Sequence, residues 1–190
     1  MAAAARGIDT QQMRYCTHCA HGLSRGIPPG DDHQRWFCPH CGKIHYENPK
    51  MVVGCIPEWE QRILFCRRAI EPRVDFWTLP AGFMENLETT EQGAQRELQE
   101  EAGARMARLT PYALFDLPFI SQIYLFFRGP LASATIKAGP ESREVRLFAP
   151  SEIPWDTLAF PVVAEVLKIY LDDLKQSKFR FHTGVISKRI

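Results

Sequence analysis

From residue 50 onward the apolar positions fall into short strand-like runs, and beyond residue 160 they switch to helical spacing. Met51 to Ile56 and Ile63 to Cys66 are rich in strand formers, and the polar Glu58-Trp-Glu-Gln61 stretch between them predicts a hairpin. Ala107 to Leu117 and Ile120 to Phe127 predict two more strands, broken at Pro118, with a further strand around Val145 to Phe148. Thr89 and Gln92 have capping-box spacing, and Gly103 can end the helix they open as a left-handed cap. Val162, Val163, Val166, Leu167, Tyr170, Leu171 and Leu174 repeat at helical spacing and predict a closing helix whose apolar face serves core or subunit packing. Strands, helix, strands and helix in this order make a layered α/β domain, with no internal repeat.

The first fifty residues differ in kind. They hold four of the six cysteines and a turn-rich stretch from Gly26 to Asp32, and are too short to fold on an apolar core. A boundary near residue 48 is therefore expected, with an N-terminal segment over 1–48 and the α/β domain over 49–190. Cys16-x-x-Cys19 and Cys38-x-x-Cys41 are separated by eighteen residues, the spacing of a four-cysteine zinc site. Two tight turns would each point two thiolates inward and complete a closed tetrahedral shell, which supplies folding free energy rather than catalysis. His18, His21, His40 and His45 lie nearby as alternative ligands, each more ordinarily a solvated loop residue. Cys55 and Cys66 fall inside strands and read as small core hydrophobes.

Charge narrows the partners. With 23 basic and 22 acidic side chains the net charge is +1, so no global field steers the chain toward nucleic acid or an anionic membrane. No apolar stretch approaches a spanning helix, and the opening Met1-to-Arg6 stretch lacks the apolar core of a signal peptide. A cytoplasmic location is expected.

The chemistry concentrates on the first helix. Glu97 and Glu101 are one turn apart with Glu100 beside them, so three carboxylates share about a third of the circumference. Like charges so spaced cost a few tenths of a kcal/mol per pair, and more when desolvated. A divalent cation reverses that sign, and an all-oxygen ligand set suits Mg²⁺ or Mn²⁺. Arg96, four residues before Glu100, can hold it in place. A plain solvated acidic face leaves unexplained the glycine-bearing entry to the helix.

Gly82, Glu88, Arg96, Glu97, Glu100, Glu101 and Gly103, with apolar Leu98 and Ala104, match every fixed position of the Nudix box, Gly-x5-Glu-x7-Arg-Glu-apolar-x-Glu-Glu-x-Gly-apolar. At average residue usage, seven fixed positions coincide by chance roughly once in 10⁸ windows. Thr78-Leu-Pro-Ala-Gly82 resembles the usual lead-in to the box, and Glu141 to Phe148 the downstream acidic strand. With the cysteine pairs, the chain resembles the zinc-ribbon Nudix hydrolases. That group includes NADH pyrophosphatases, whose Ser-Gln-Pro-Trp-Pro-Phe-Pro signature is absent from the corresponding Phe115 to Tyr124 stretch. Asn48-Pro-Lys-Met-Val-Val-Gly54, Gly139-Pro-Glu-Ser142 and Leu158-Ala-Phe160 look closer to the plant-type FAD/ADP-ribose pyrophosphatases.

The resemblance implies an α/β/α sandwich with a mixed sheet behind a small zinc ribbon. It implies Mg²⁺ or Mn²⁺ held by Glu97, Glu100, Glu101 and the Ala81 carbonyl, and structural zinc held by Cys16, Cys19, Cys38 and Cys41. The implied reaction is attack of water on the pyrophosphate of a small nucleotide, releasing AMP and a phosphate ester. Glu141 is the candidate general base, with Glu144 behind it. Arg67 and Arg68 are candidate clamps on the pyrophosphate, and Trp59, Phe115 and Phe160 candidates to stack on a base. Relatives often form homodimers, so one is expected. The rival readings are an NADH or NAD pyrophosphatase, including removal of NAD caps from RNA, a nucleotide sensor with an RNA-binding ribbon and no turnover, and an isomerase of the same superfamily, whose box is usually degenerate.

Overall fold

The computed structural model describes residues 14–187, and the Met1-to-Arg6 stretch lies outside them. The chain divides between Asn48 and Pro49 into two compact units. Among the described residues no helix is long and apolar enough to cross a membrane.

The N-terminal unit carries three short strands that its sequence did not announce: β1 (Ser24–Gly26), β2 (Arg35–Phe37) and β3 (Ile44–His45), an antiparallel sheet in that order. Each cysteine pair lies on a tight turn. The Ala20 N–H donates to the Cys16 carbonyl at 2.8 Å and the Gly42 N–H to the Cys38 carbonyl at 2.9 Å. Ala20 and Gly42 close these turns with φ of 59° and 73°.

The larger unit is built on one mixed sheet. The expected hairpin is β4 (Lys50–Trp59) and β5 (Arg62–Arg68), longer than the apolar runs and joined by Glu60 and Gln61, both with positive φ as a two-residue turn requires. Then come β6 (Trp77–Thr78), β7 (Ala81–Phe83), helix α1 (Thr90–Ala102), β8 (Thr110–Leu117), β9 (Gln122–Pro130), β10 (Ser142–Phe148), helix α2 (Pro161–Gln176) and β11 (His182–Val185). The sheet order is β10-β5-β4-β9-β8-β11, with β6 on β5 and β7 on β4; β4–β9 and β8–β11 are parallel pairs. Pro118 does break β8 from β9, through a single 3₁₀ turn over Pro118–Ile120.

Alternation along the strands makes two cores. Ile63 and Phe65 on β5, Ile56 on β4 and Phe126 on β9 pack with Val162, Val163, Val166, Leu167 and Tyr170 of α2. The intervening Leu64, Cys66, Cys55, Val53 and Phe127 pack with Ala94, Leu98 and Ala102 of α1. Successive side chains of a strand point to opposite faces, so the helices cover opposite sides of the sheet. The fold is thus the α/β/α sandwich with a mixed sheet, and the apolar face of α2 is core.

The fork in this sheet positions the site. β4 pairs with β5 only at Glu58–Trp59, while Val52–Gly54 pair instead with β7. β7 leads directly into the loop before α1, which brings Ala81 and Gly82 against the helix.

Candidate functional site

Helix α1 starts and stops where its sequence dictates. The Gln92 N–H donates to Thr89 Oγ1 at 3.2 Å, and the Thr89 N–H donates to Gln92 Oε1 at 2.8 Å. Gly103 closes the helix at φ 58°, and no basic residue occupies its last turn. Glu100 and Glu101 therefore sit at the negative end of the helix dipole, an unfavourable place for a carboxylate by about 0.3–1 kcal/mol each.

Arg96 organises one side of the carboxylate cluster. Its Nε and Nη2 donate to Glu88 Oε2 and Oε1 at 3.0 and 2.9 Å, and Nη2 also donates to the Phe83 carbonyl at 3.1 Å. Nη1 donates to Glu97 at 2.7 Å and Glu100 at 2.9 Å. These bonds use the whole guanidinium fork. Glu88 also accepts the Glu85 N–H at 2.7 Å and is held below the usual carboxylate range, chiefly by Arg96. The box spacing did not reveal this Glu88–Arg96 clamp. The signal was Gly93, a costly residue inside a helix, where a Cβ would come within 2.6 Å of Glu88 Oε1.

Glu97 and Glu101 face inward. Gly82 permits this, because a Cβ there would lie 2.2 Å from Glu97 Oε1. Burial raises the pKa of Glu97, against the pull of Arg96, and the charges of Glu100 and Glu141 add to the rise. Glu101 is only 5% exposed, and the Ala81 N–H donates to its Oε2 at 3.3 Å. Burial and then the charge of Glu97 push it up to about 8, opposed by that N–H and the charge of Arg68. No ion pair links Glu101 to a basic group among the described residues. The three carboxylates are not gathered within 4.8 Å of one another as the cysteines are. Arg96 draws Glu97 and Glu100 to its side while Glu101 turns toward Ala81. All-oxygen donors, a glycine cradle and a buried carboxylate lacking a cation fit a hard divalent ion.

The other candidates divide. Glu141 is exposed, and its charge reaches both Glu97 and Glu101. The loop before it is fastened to the end of α1, since the Lys137 and Gly139 N–H groups donate to the Ala102 and Glu101 carbonyls at 2.8 and 3.1 Å. Glu144 instead lies 3.8 Å from Arg67, which also pairs with Asp75 at 3.4 Å, so both are engaged with each other rather than with the cluster. Arg68 donates from Nε to the Pro72 carbonyl at 2.8 Å and lies 5.1 Å from the Phe160 ring centroid, while its charge acts on Glu101 and Tyr124. Phe115, a candidate base-stacking residue by sequence, is buried in the α2-side core and is not available. Phe160 and Trp59 are partly buried. A cavity of about 580 Å³ runs along the Thr89, Gln92 and Gln99 side of α1 with none of the three cluster glutamates in its lining.

The four cysteines converge. Their sulfurs all lie within 4.8 Å of one another, with Cys16 to Cys41 at 3.7 Å and Cys19 to Cys38 at 3.5 Å. A tetrahedron of thiolates at ~2.3 Å from zinc has edges of about 3.8 Å, so the group fits the ion. Burial opposes ionisation of Cys16, but the His18 and Cys19 backbone N–H groups together with the His45 and Cys41 side chains outweigh it and draw the pKa down to about 5. Cys55 and Cys66 are core residues whose thiols burial pushes up.

A carboxylate-bearing helix on one face of a forked mixed sheet, with a second helix behind and a thiolate cluster on its own small unit, defines a class of α/β/α metal-binding sandwiches. The chain belongs to the Nudix family: the NUDIX domain matches residues 48–169 and the Nudix N-terminal zinc ribbon matches residues 14–47. It is 49% identical to a NUDIX hydrolase from Nitrosomonas europaea of known crystal structure, covering 93% of this chain and 100% of that one, with a TM-score of 0.89. Among curated proteins it is 26% identical to the NAD-capped RNA hydrolase NudC of Edwardsiella ictaluri over 90% of this chain and 65% of that protein. A second NudC, from Pseudomonas aeruginosa, is 29% identical over 68% of this chain and 45% of its own length. The chain thus spans about half to two thirds of the curated relatives it matches.

Proposed function

We propose that the chain is a Mg²⁺- or Mn²⁺-dependent Nudix pyrophosphohydrolase that cleaves FAD or ADP-ribose to AMP and a phosphate ester. The observation that carries this reading is Glu101, a buried carboxylate on the box helix with no cationic partner among the described residues. An isolated buried carboxylate is costly, and a divalent ion offsets the cost. Glu97, Glu100, Glu101 and the Ala81 carbonyl would hold the ions. When bound, such ions neutralise charge on the diphosphate and lower the pKa of a coordinated water.

The chain's own groups do the positioning. Arg96 fixes Glu97 and Glu100, and Glu141, placed where its charge reaches the cluster, accepts the proton of the attacking water. Water attacks one phosphorus in line with the bridging oxygen, whose bond breaks as that oxygen leaves with the second phosphate. The positive charge of Arg68 acts on Glu101, whereas Arg67 supports Asp75 and Glu144. Zinc in the ribbon has a structural role. Cytoplasmic location and homodimeric assembly belong to the same reading.

A second reading, hydrolysis of the same linkage in NADH, NAD or NAD-capped RNA, is favoured by the names of the curated relatives. The absent signature between Phe115 and Tyr124 weighs against it. The discriminating experiment incubates the chain with FAD, ADP-ribose, NADH, NAD, coenzyme A and a short NAD-capped RNA, with Mg²⁺ or Mn²⁺, and separates products by chromatography. The highest kcat/KM on FAD or ADP-ribose is expected. A preference for the NAD-containing substrates would replace the first reading with the second.

A further inference from the structure

A closed four-thiolate shell has no open position, so an ion can enter or leave only by exchanging ligands at an edge. In the ribbon Cys16 and Cys38 are buried, Cys19 is half-buried and Cys41 is exposed. Beside Cys19 are two exposed histidines from the two cysteine turns, His21 and His40, whose rings stack with centroids 3.6 Å apart and planes 4° apart. One ligand atom from each of Cys19, His21 and His40 lies within 4.8 Å of the others. His21 Nδ1 is 3.0 Å from the Cys19 carbonyl oxygen. A carbonyl only accepts, so Nδ1 carries the proton and Nε2 keeps a free lone pair. A backbone carbonyl that fixes one ring nitrogen and frees the other is the usual support of a metal-binding histidine. The four-thiolate shell needs neither histidine.

We propose that His21 and His40, sharing Cys19 with the structural site, form a surface landing site through which zinc passes to and from the four cysteines. The inference rests on the four-thiolate reading of that site. On the way in, the Cys19 thiolate and the two imidazoles would hold the ion, the rings turning out of their stack so that each lone pair can face it. Cys16, Cys38 and Cys41 would then replace the imidazoles, and any thiol still carrying its proton would release it to water. Both histidines are released, and no group is oxidised or reduced. The route out is the reverse.

The test uses the zinc-loaded full chain. Excess of the chromophoric chelator 4-(2-pyridylazo)resorcinol is mixed in, and zinc transfer is followed by absorbance. The His21→Ala/His40→Ala variant should begin with the same zinc content and melting temperature, and transfer zinc about tenfold more slowly or worse. His18→Ala, an exposed histidine outside the cluster, should transfer at the unaltered rate. An unaltered rate in the double variant overturns the proposal, and so does a faster one with reduced zinc content, which would make the histidines resident ligands. The cobalt-substituted chain separates the two readings. An all-sulfur spectrum in both proteins upholds the four-thiolate site whatever the rates are, whereas nitrogen ligation in the unaltered chain removes that site and the landing site together.

Discussion

Glu101 couples stability to the proposed chemistry. Its ordinary value of 4.5 is raised to about 8 by burial and by Glu97. Between those values the folded chain keeps a proton that the unfolded chain has released, so stability falls as pH rises through the window and levels off above it. The full effect is about 5 kcal/mol as an upper limit, and the raised Glu97 acts in the same direction. Glu88 and Asp173, both lowered, work oppositely but only in acid, where their stabilisation is lost as they protonate. Thermal melts in chelator should therefore show the unaltered chain losing ground to Glu101→Gln as pH rises from 5 to 8, a difference that saturating Mg²⁺ reverses. A pH-independent gap between the two proteins would contradict the burial account.

The same contrast between local and assembled information runs through the elements. Helix α1 was legible to the residue because its capping box, its left-handed Gly103 and its box spacing are all local. The hairpin, the strands around Pro118 and helix α2 were legible from periodicity, with strand ends displaced by a few residues. β6, β7 and the ribbon strands are two or three residues long, too short for any periodicity, and β11 is His-Thr-Gly-Val, which has no apolar alternation. The Glu88–Arg96 clamp left only an indirect mark in the sequence, the glycine at 93 inside the helix. Replacing Thr89 by Ala should cost about 1 kcal/mol of stability, read by urea unfolding, with kcat unaltered. Arg96→Lys keeps the charge but loses the fork, and turnover should fall by about 10–100-fold. Retained turnover in Arg96→Lys would reduce Arg96 to a source of charge.

At the scale of the molecule, each unit is held by what its size allows. The larger has a core on each face of its sheet, while the ribbon gathers four sulfurs where a core would otherwise be needed. Cys38→Ser should thus lower solubility or melting temperature far more than it alters turnover of the folded fraction, and zinc analysis of the unaltered chain should find the metal. Family, fold and the gathering of the four cysteines were readable in the sequence because spacing encodes them. The choice among substrates was not, because it depends on where the folded chain puts each side chain: Phe115 enters the core, Arg67 turns to Asp75 and Glu144, and Arg68 bonds to the Pro72 carbonyl while its charge acts on Glu101. The central claim is that buried carboxylates on α1 carry metal-dependent hydrolysis. It is tested most directly by kcat/KM of Glu101→Gln on its best nucleotide with Mg²⁺, beside a circular dichroism melt. A fall of at least ~10³-fold, about 4 kcal/mol of barrier, in a folded protein is expected. Near-native turnover would contradict it.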